Sequence, residues 1–286
     1  MRRPEGRMRE IDVRQVEETV YALFMSACCE IGEDVLALLR AGEREEESPF
    51  GREVLRQLIR NDELAAERRM PICQDTGMAV IFMEVGQDVH FAGGDVNAAI
   101  EEGVRRAYRD GCFRASVLSP LERVNTKDNT PAIVHLRIVP GERVTLTAAP
   151  KGFGSENMSR LWMLTPSQGV EGVKHAVVET VRLAGGNPCP PVVVGVGIGG
   201  TAECAMLMAK HSLTRDCGRP SADPMLADME RELLARINDL GIGPQGLGGR
   251  ITALAVHIEQ MPTHIAGLPV AVNMQCHAAR HKTATI

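Results

Sequence analysis

Aromatic residues are scarce in this sequence: six Phe, two Tyr and one Trp among 286 residues. A core so poor in rings has to be filled by Val, Ile, Leu, Ala and Met. Basic residues do not outnumber acidic ones, 32 against 37, and the formal net charge is −5. That removes the basic footprint on which nucleic-acid and membrane-surface binding depend. No apolar run reaches the roughly 18 residues of a membrane helix. The start, Met1-Arg2-Arg3-Pro4-Glu5-Gly6, has no apolar stretch behind it and does not read as a secretory signal. Cys-x-x-Cys pairs, the spacing of zinc ribbons and thioredoxin-type sites, are missing as well.

What is present fits a soluble globular protein of the reducing cytoplasm, with 44% hydrophobic and 24% charged residues. Eight cysteines stand out: Cys28, Cys29, Cys73, Cys112, Cys189, Cys204, Cys217 and Cys276. A chain of this length builds a large core and does not need a disulfide framework, so the thiols are expected to be free or metal-bound.

Hydrophobic periodicity predicts one mixed α/β domain over 1–286, with a helical N-terminal layer (10–68) packed on an α/β body (70–286). Val16, Val20, Leu23, Phe24, Ala27, Ile31 and Val35 recur at three- and four-residue steps. Ser48-Pro49 reads as an N-cap followed by proline at the first helical position. Met78 to Val85 reads as a strand and Val96 to Tyr108 as a helix. Ile133 to Val139 and Val144 to Ala149 read as paired strands joined by a turn at Pro140-Gly141. Val170 to Leu183 is helical, then a Gly/Pro turn runs from Gly185 to Pro191. Val192 to Ile198 reads as a buried strand, followed by a glycine turn and a helix over Ala202 to Ser212. Ser221 to Leu240 is amphipathic, and short strands follow at Ala253 to Ile258 and Val270 to Met274.

Three cysteines fall in loop-forming contexts: Pro71-Ile72-Cys73-Gln74-Asp75-Thr76-Gly77, Asn187-Pro188-Cys189-Pro190-Pro191 and Asn273-Met274-Gln275-Cys276-His277. Thiolates on such loops would suit a soft metal or an iron–sulfur cluster if they converge. Their sequence separation matches no compact ligand motif, so buried thiols are the alternative. Asp75-Thr76-Gly77 resembles half of an aspartic-protease site, but a second such triplet is lacking. Gly195-Val196-Gly197-Ile198-Gly199-Gly200 fits a dinucleotide fingerprint between strand and helix. It lacks the acidic residue about 20 positions on, and a tight turn or an anion-binding helix start is the plainer reading. An NAD(P)-binding oxidoreductase is the alternative it leaves open. Lys151-Gly152-Phe153-Gly154-Ser155-Glu156-Asn157 could bring backbone N–H groups to an anion. Cys276-His277 with His281 leaves a zinc-stabilised module as a further alternative.

Several motifs occur together and in order. They are Cys73-Gln74-Asp75-Thr76-Gly77, Asn125-Thr126 with Asn129-Thr130-Pro131, Gly154-Ser155-Glu156-Asn157, Cys189-Pro190-Pro191, Gly195 to Thr201, and Gly243-Pro244-Gln245-Gly246. This series resembles the α subunit of the iron–sulfur-dependent hydro-lyases, the class I fumarate hydratases and L(+)-tartrate dehydratases, from about residue 10 onward. The resemblance implies a [4Fe–4S] cluster held by Cys73, Cys189 and Cys276, one iron being left without a cysteine. The other five cysteines match no ligand motif of the family and are read as structural. The likeness further implies that Gln74, Asp75, Arg114, Gly154 and Asn157 bind a small dicarboxylate. Asp75 would transfer protons, with His264 orienting or partnering it. The single-chain fumarases place further substrate residues in a C-terminal domain for which this sequence has no room. A separate β subunit in an α2β2-type assembly is therefore expected to complete the site. Pro131-Ala132-Ile133-Val134-His135 and the 154–160 segment look closer to the fumarases, which makes fumarate hydration to (S)-malate the expected reaction. L(+)-tartrate dehydration is the alternative.

Overall fold

The computed structural model describes residues 8–286, so the Met1–Gly6 stretch lies outside the described residues. The protein is mixed α/β. The chain divides otherwise than into a 10–68 layer and a 70–286 body. One compact unit comprises residues up to Glu30, Leu64–Lys151 and Arg280–Ile286, and the other Ile31–Glu63 and Gly152–Ala279.

The first unit begins with β1 (Arg9–Asp12) and α1 (Val13–Cys29), and Asp12 caps the helix by accepting the Arg14 N–H. The 3.6-residue pattern that ran on to Val35 stops at Cys29, because Glu30 is extended and Gly32 opens a new helix. β2 (Met78–Gly86), β3 (Val89–Ala92), α4 (Val96–Asp110), β4 (Ile133–Val139), β5 (Val144–Lys151) and β10 (Lys282–Thr285) complete the unit. Its four-stranded sheet has the order β10-β5-β2-β4, with β1 and β3 as a separate parallel pair. β4 and β5 are both strands, but they do not pair with each other. β2 lies between them, parallel to β4 and antiparallel to β5. The Pro140-Gly141 segment crosses the end of β2, where a Cβ on Gly86 would stand 2.4 Å from the Gly141 carbonyl oxygen. Local sequence alone suggests a hairpin, whereas the non-local register overrides it. Val16, Val20, Phe24 and Cys28 of α1 form the core with Ile100, Val104 and Tyr108 of α4 and with Ile81, Met83 and Leu146 of the sheet.

The second unit contains α2 (Glu33–Glu45), most of α3 (Pro49–Arg68), α5 (Phe153–Glu156), β6 (Arg160–Leu164), α6 (Gly169–Ala184), β7 (Val192–Gly200), α7 (Ala202–Ser212), α8 (Pro224–Asn238), β8 (Ala253–Thr263) and β9 (Leu268–Gln275). Ser48 caps α3 as its sequence indicates, its Oγ accepting the Gly51 N–H at 3.1 Å. The sheet order is β6-β9-β7-β8, with β7 parallel to β8 and β9 antiparallel to β6 and β7. Val173, Val177 and Val181 of α6 and Leu226, Met229, Leu233 and Ile237 of α8 pack with Val194, Val196, Val272 and Met274.

The expected strand Val192–Ile198 is present and runs on through Gly199 and Gly200, where a turn was expected. A Cβ on Gly195 would stand 2.1 Å from the Ala209 carbonyl oxygen, and one on Gly197 2.1 Å from that of Ala205. These glycines let the backbone of α7 rest against β7. A dinucleotide fingerprint needs its glycines in the turn between strand and helix, so the oxidoreductase alternative loses its structural footing.

Candidate active site

In the first unit, the sequence Cys73-Gln74-Asp75-Thr76-Gly77 forms the loop entering β2. The Ile72 N–H donates to the Cys28 carbonyl at 3.0 Å, which fixes the chain one residue before the cysteine. The Asp75 N–H then donates to Cys73 Sγ at 3.4 Å, and Asp75 Oδ1 accepts the Gly77 N–H at 3.0 Å, a local turn typical of aspartate. Gly77 has φ +78°, and a Cβ there would stand 2.5 Å from the Lys151 backbone, so the position requires glycine.

Distant side chains tie down the loop carbonyls. The Tyr108 hydroxyl reaches the Thr76 and Gly77 carbonyls at 2.9 Å each. Asn129 Nδ2 donates to the Gly77 carbonyl at 3.0 Å, while its Oδ1 accepts the Ser116 and Val117 N–H groups. Thr76 Oγ1 donates to the Arg114 carbonyl at 3.1 Å, which sets the exposed Arg114 beside the loop. The buried guanidinium of Arg280 donates to the Asp75 carbonyl. Gln74 is exposed, and Cys73 and Asp75 are half-buried. Cys73, Gln74, Asp75 and Arg114 are therefore gathered, as the sequence led us to expect.

In the second unit, β7 starts just after Cys189 and β9 ends just before Cys276, with Val193 opposite Gln275. Both cysteines leave the same end of the sheet, and the His277 N–H donates to the Cys189 carbonyl at 3.4 Å. Cys189 has φ +57°, an uncommon conformation for a residue with a side chain. Its loop is braced by Gln245, whose backbone N–H and side-chain Nε2 donate to the Pro190 carbonyl at 2.7 and 2.8 Å. Gly154 borders this loop, since a Cβ there would lie 3.7 Å from the Asn187 carbonyl oxygen. Gly154 and Asn157 are both exposed. Glu156, between them, accepts from Lys210 and from Asn273 Nδ2 (3.1 Å), which docks α5 against β9. Gly154, Asn157, Cys189 and Cys276 thus share one end of the sheet.

His264 does not join them. It is exposed in the connection between β8 and β9, beside Thr263, which lies opposite Gly200 at the far end of β7. Eight residues of β9 separate that end from Cys276, about 25 Å at ~3.3 Å per residue. His264 Nδ1 accepts the Ala266 N–H at 3.2 Å, and the ring lines an apolar cavity of about 430 Å³ with Val170, Met225 and Leu268.

None of the eight cysteines is in a disulfide. Cys28, Cys29 and Cys217 are buried, and burial pushes the Cys28 and Cys217 thiols up to about 12, which suits inert core residues. Among the described residues, no group of three His, Cys, Asp or Glu is gathered as ligands of a single metal ion. A cluster asks for something different, because each cysteine binds its own iron and the thiols stand further apart. Cys73, Cys189 and Cys276 fit it as a donor set: loop cysteines outside any disulfide, none sunk in the core. Sequence reasoning missed Tyr108, Arg280, Lys210 and Asn273, whose roles depend on partners distant in the chain. Arg280 alone carried a signal, as a charged residue following the small pair Ala278-Ala279 just after Cys276.

The profile of the family described as fumarate hydratase (Fumerase) matches residues 17–285. A Methanocaldococcus jannaschii protein, provisionally named L(+)-tartrate dehydratase subunit alpha, is 42% identical over 93% of this chain and 95% of its own length. L(+)-tartrate dehydratase subunit alpha of Escherichia coli strain UTI89 is 32% identical over 88% of this chain and 84% of its own. Its counterpart in Shigella boydii is 31% identical over the same shares. The family match and these relatives place the chain among the lyases. Within that class, the chain belongs to the iron–sulfur fumarate hydratase family.

Proposed function

We propose that this chain is the α subunit of a [4Fe–4S]-dependent hydro-lyase that dehydrates L(+)-tartrate. The carrying observation is the joining of Cys189 and Cys276, distant in sequence, at one end of the second unit's sheet. The substrate follows the names of the relatives reported above, which are tartrate dehydratase subunits. This reverses the order expected from the 131–135 and 154–160 segments. Hydration of fumarate to (S)-malate is the second reading, favoured by the description of the matching family. The subunit names likewise support a β partner, and its completing the site in an α2β2-type complex follows from the family likeness.

Cys73, Cys189 and Cys276 would hold the cluster. When bound, it supplies an iron without a cysteine ligand, a Lewis acid for the substrate's carboxylate and hydroxyl oxygens. Dehydration also requires removal of a weakly acidic C–H proton, and so a positioned base or acid. Asp75 takes the proton-transfer role here, its carboxylate oriented by the Gly77 N–H. The Arg114 guanidinium and the Gln74 amide bind a substrate carboxylate, a fork geometry that suits two oxygens. Gly154 and Asn157 are kept as substrate contacts on the strength of the family likeness. His264 is kept as the partner of Asp75 only as an expectation of the family likeness.

The test is anaerobic co-purification with the β-type subunit, reconstitution with iron and sulfide, and assay on L(+)-tartrate, fumarate and (S)-malate. A brown protein that bleaches in air, loses its colour on Cys73→Ser and prefers L(+)-tartrate in kcat/KM is expected. Preference for fumarate supports the second reading. A loaded protein inactive on all three sinks both.

A further inference from the structure

Arg280 belongs to the first unit and is only 4% exposed. A guanidinium presents five N–H donors and keeps its charge at any physiological pH. Here Nη2 donates to the Asp75 carbonyl. Nε and Nη1 are buried with no hydrogen-bond partner among the described residues. Three acidic groups within reach of its field, Cys28, Cys29 and Tyr108, are all raised above their usual values and do not offset the charge. Burial keeps the Cys28 thiol protonated, with a pKa of about 12, and burial also pushes the Tyr108 hydroxyl well above its usual range. Leaving buried cationic donors unpaired is costly, and such a side chain persists where acceptors complete it. The anchored Nη2 sets the guanidinium against the Cys73–Asp75 loop.

We propose that Arg280 is a positioning residue for this thiol loop, holding Asp75 through Nη2 and reserving Nε and Nη1 for the negatively charged sulfur atoms of the cluster. The inference rests on the cluster-bearing hydro-lyase reading. Donors and fixed charge beside a cluster set its potential and its resistance to loss. A positive charge stabilises the more reduced form, so its removal lowers the reduction potential and hastens oxidation. Nε and Nη1 are shielded from solvent, so Arg280 acts on the substrate only through the loop.

The experiment uses the α chain with its β partner, anaerobically reconstituted, as wild type, R280Q and R280K. Iron content, the cluster's reduction potential followed by electron paramagnetic resonance, and the bleaching rate in air are read on each. R280Q is expected to have a lower potential and to bleach tenfold or more faster, in line with the usual effect of losing a donor that braces a metal site's ligands. R280K keeps the charge and restores the potential. In the wild type, the ¹⁵N–¹H resonance of Arg280 Nε, assigned by its loss in R280K, moves on cluster loading. That measurement does not depend on whether R280Q folds. Equal potentials and bleaching rates in wild type and R280Q overturn the proposal, and so does an unmoved Nε resonance or a lysine that fails to restore the potential. A wild type that takes up no iron and sulfide overturns the cluster reading itself, a result distinct from these.

Discussion

The two units hold their motif cysteines by different means. In the first, side chains from distant segments grip the backbone around Cys73: the Tyr108 hydroxyl, the Asn129 amide and the Arg280 guanidinium. In the second, the chain grips itself. The Cys189 loop is held by backbone N–H groups of Gln245 and His277, and Gly246 lies against Gly186 with no room for a side chain. A loop held by side chains can be loosened one hydrogen bond at a time. A loop held by backbone contact resists such trimming and fails when a Cβ is forced into it.

Gly246→Val gives the sharpest break. Gly246 has φ +74°, and a Cβ there would meet the Gly186 Cα at 2.5 Å. Left-handed strain and overpacking add, so the second unit should lose about 3 kcal/mol or more. The single Trp, Trp162, lies in that unit with its Nε1 donating to Thr180 Oγ1 at 2.9 Å, while both Tyr residues, Tyr21 and Tyr108, lie in the first. Urea unfolding followed by Trp fluorescence should shift strongly. An unshifted Trp transition would show that the Gly186–Gly246 contact does not hold the second unit.

Acid separates the units next. Glu46 in the second unit is fully buried and accepts the N–H groups of Ser48, Arg250 and Ile251 at 2.9, 2.9 and 2.7 Å. Burial alone would raise its pKa, but these backbone bonds outweigh burial and hold it below 4.5. A depressed carboxylate contributes stability that is complete above its unfolded pKa and is lost as pH falls through the folded one. The Trp-reported stability should therefore decline below about pH 4.5. E46Q should cost about 1–3 kcal/mol at pH 7 and flatten that decline. In the first unit, Asp128 behaves similarly. Burial opposes its ionisation, yet hydrogen bonds from Arg105 and Thr130 bring it to about 2. Its contribution fades between about pH 4 and 2. An unchanged acid decline in E46Q would assign that decline elsewhere.

The same contrast explains what was legible in the sequence. Helices α3, α4 and α6 follow from local signals: Ser48 before Pro49, Asp95 accepting the Asn97 and Ala98 N–H groups, and apolar spacing along each. The motif cysteines, Gln74 and Asp75 were visible because loop-forming residues surround them. The sheet partners were not, because β2 inserts between β4 and β5 through register that no local window carries. Gly195 and Gly197 fell inside the expected Val192–Ile198 strand yet also fitted a glycine-turn fingerprint, because sequence does not reveal an α7 backbone pressed on that strand. Arg280 meets Asp75 across 205 residues, a pairing with no period or spacing. His264 was assigned by likeness, and in its own unit it stands at the sheet end away from Cys189 and Cys276.

The finest test compares single hydrogen bonds in the two grips. Tyr108→Phe removes the hydroxyl that serves both the Thr76 and Gly77 carbonyls, and the ring keeps its place against Phe24 and Phe113. The Thr76 carbonyl then loses this buried donor, while the Gly77 carbonyl keeps the Asn129 amide, and the cost is about 1–2 kcal/mol. Gln245→Ala removes Nε2 from the Pro190 carbonyl but leaves the 2.7 Å backbone bond to the same oxygen. That loss should be near 0.5 kcal/mol, because the acceptor stays satisfied. Tyr21 remains as a first-unit reporter in the Phe variant, and Trp162 reports on the alanine variant. If Gln245→Ala costs as much as Tyr108→Phe, the Cys189 loop also depends on side-chain grip. The distinction between a loop held by side chains and one held by its own backbone then fails.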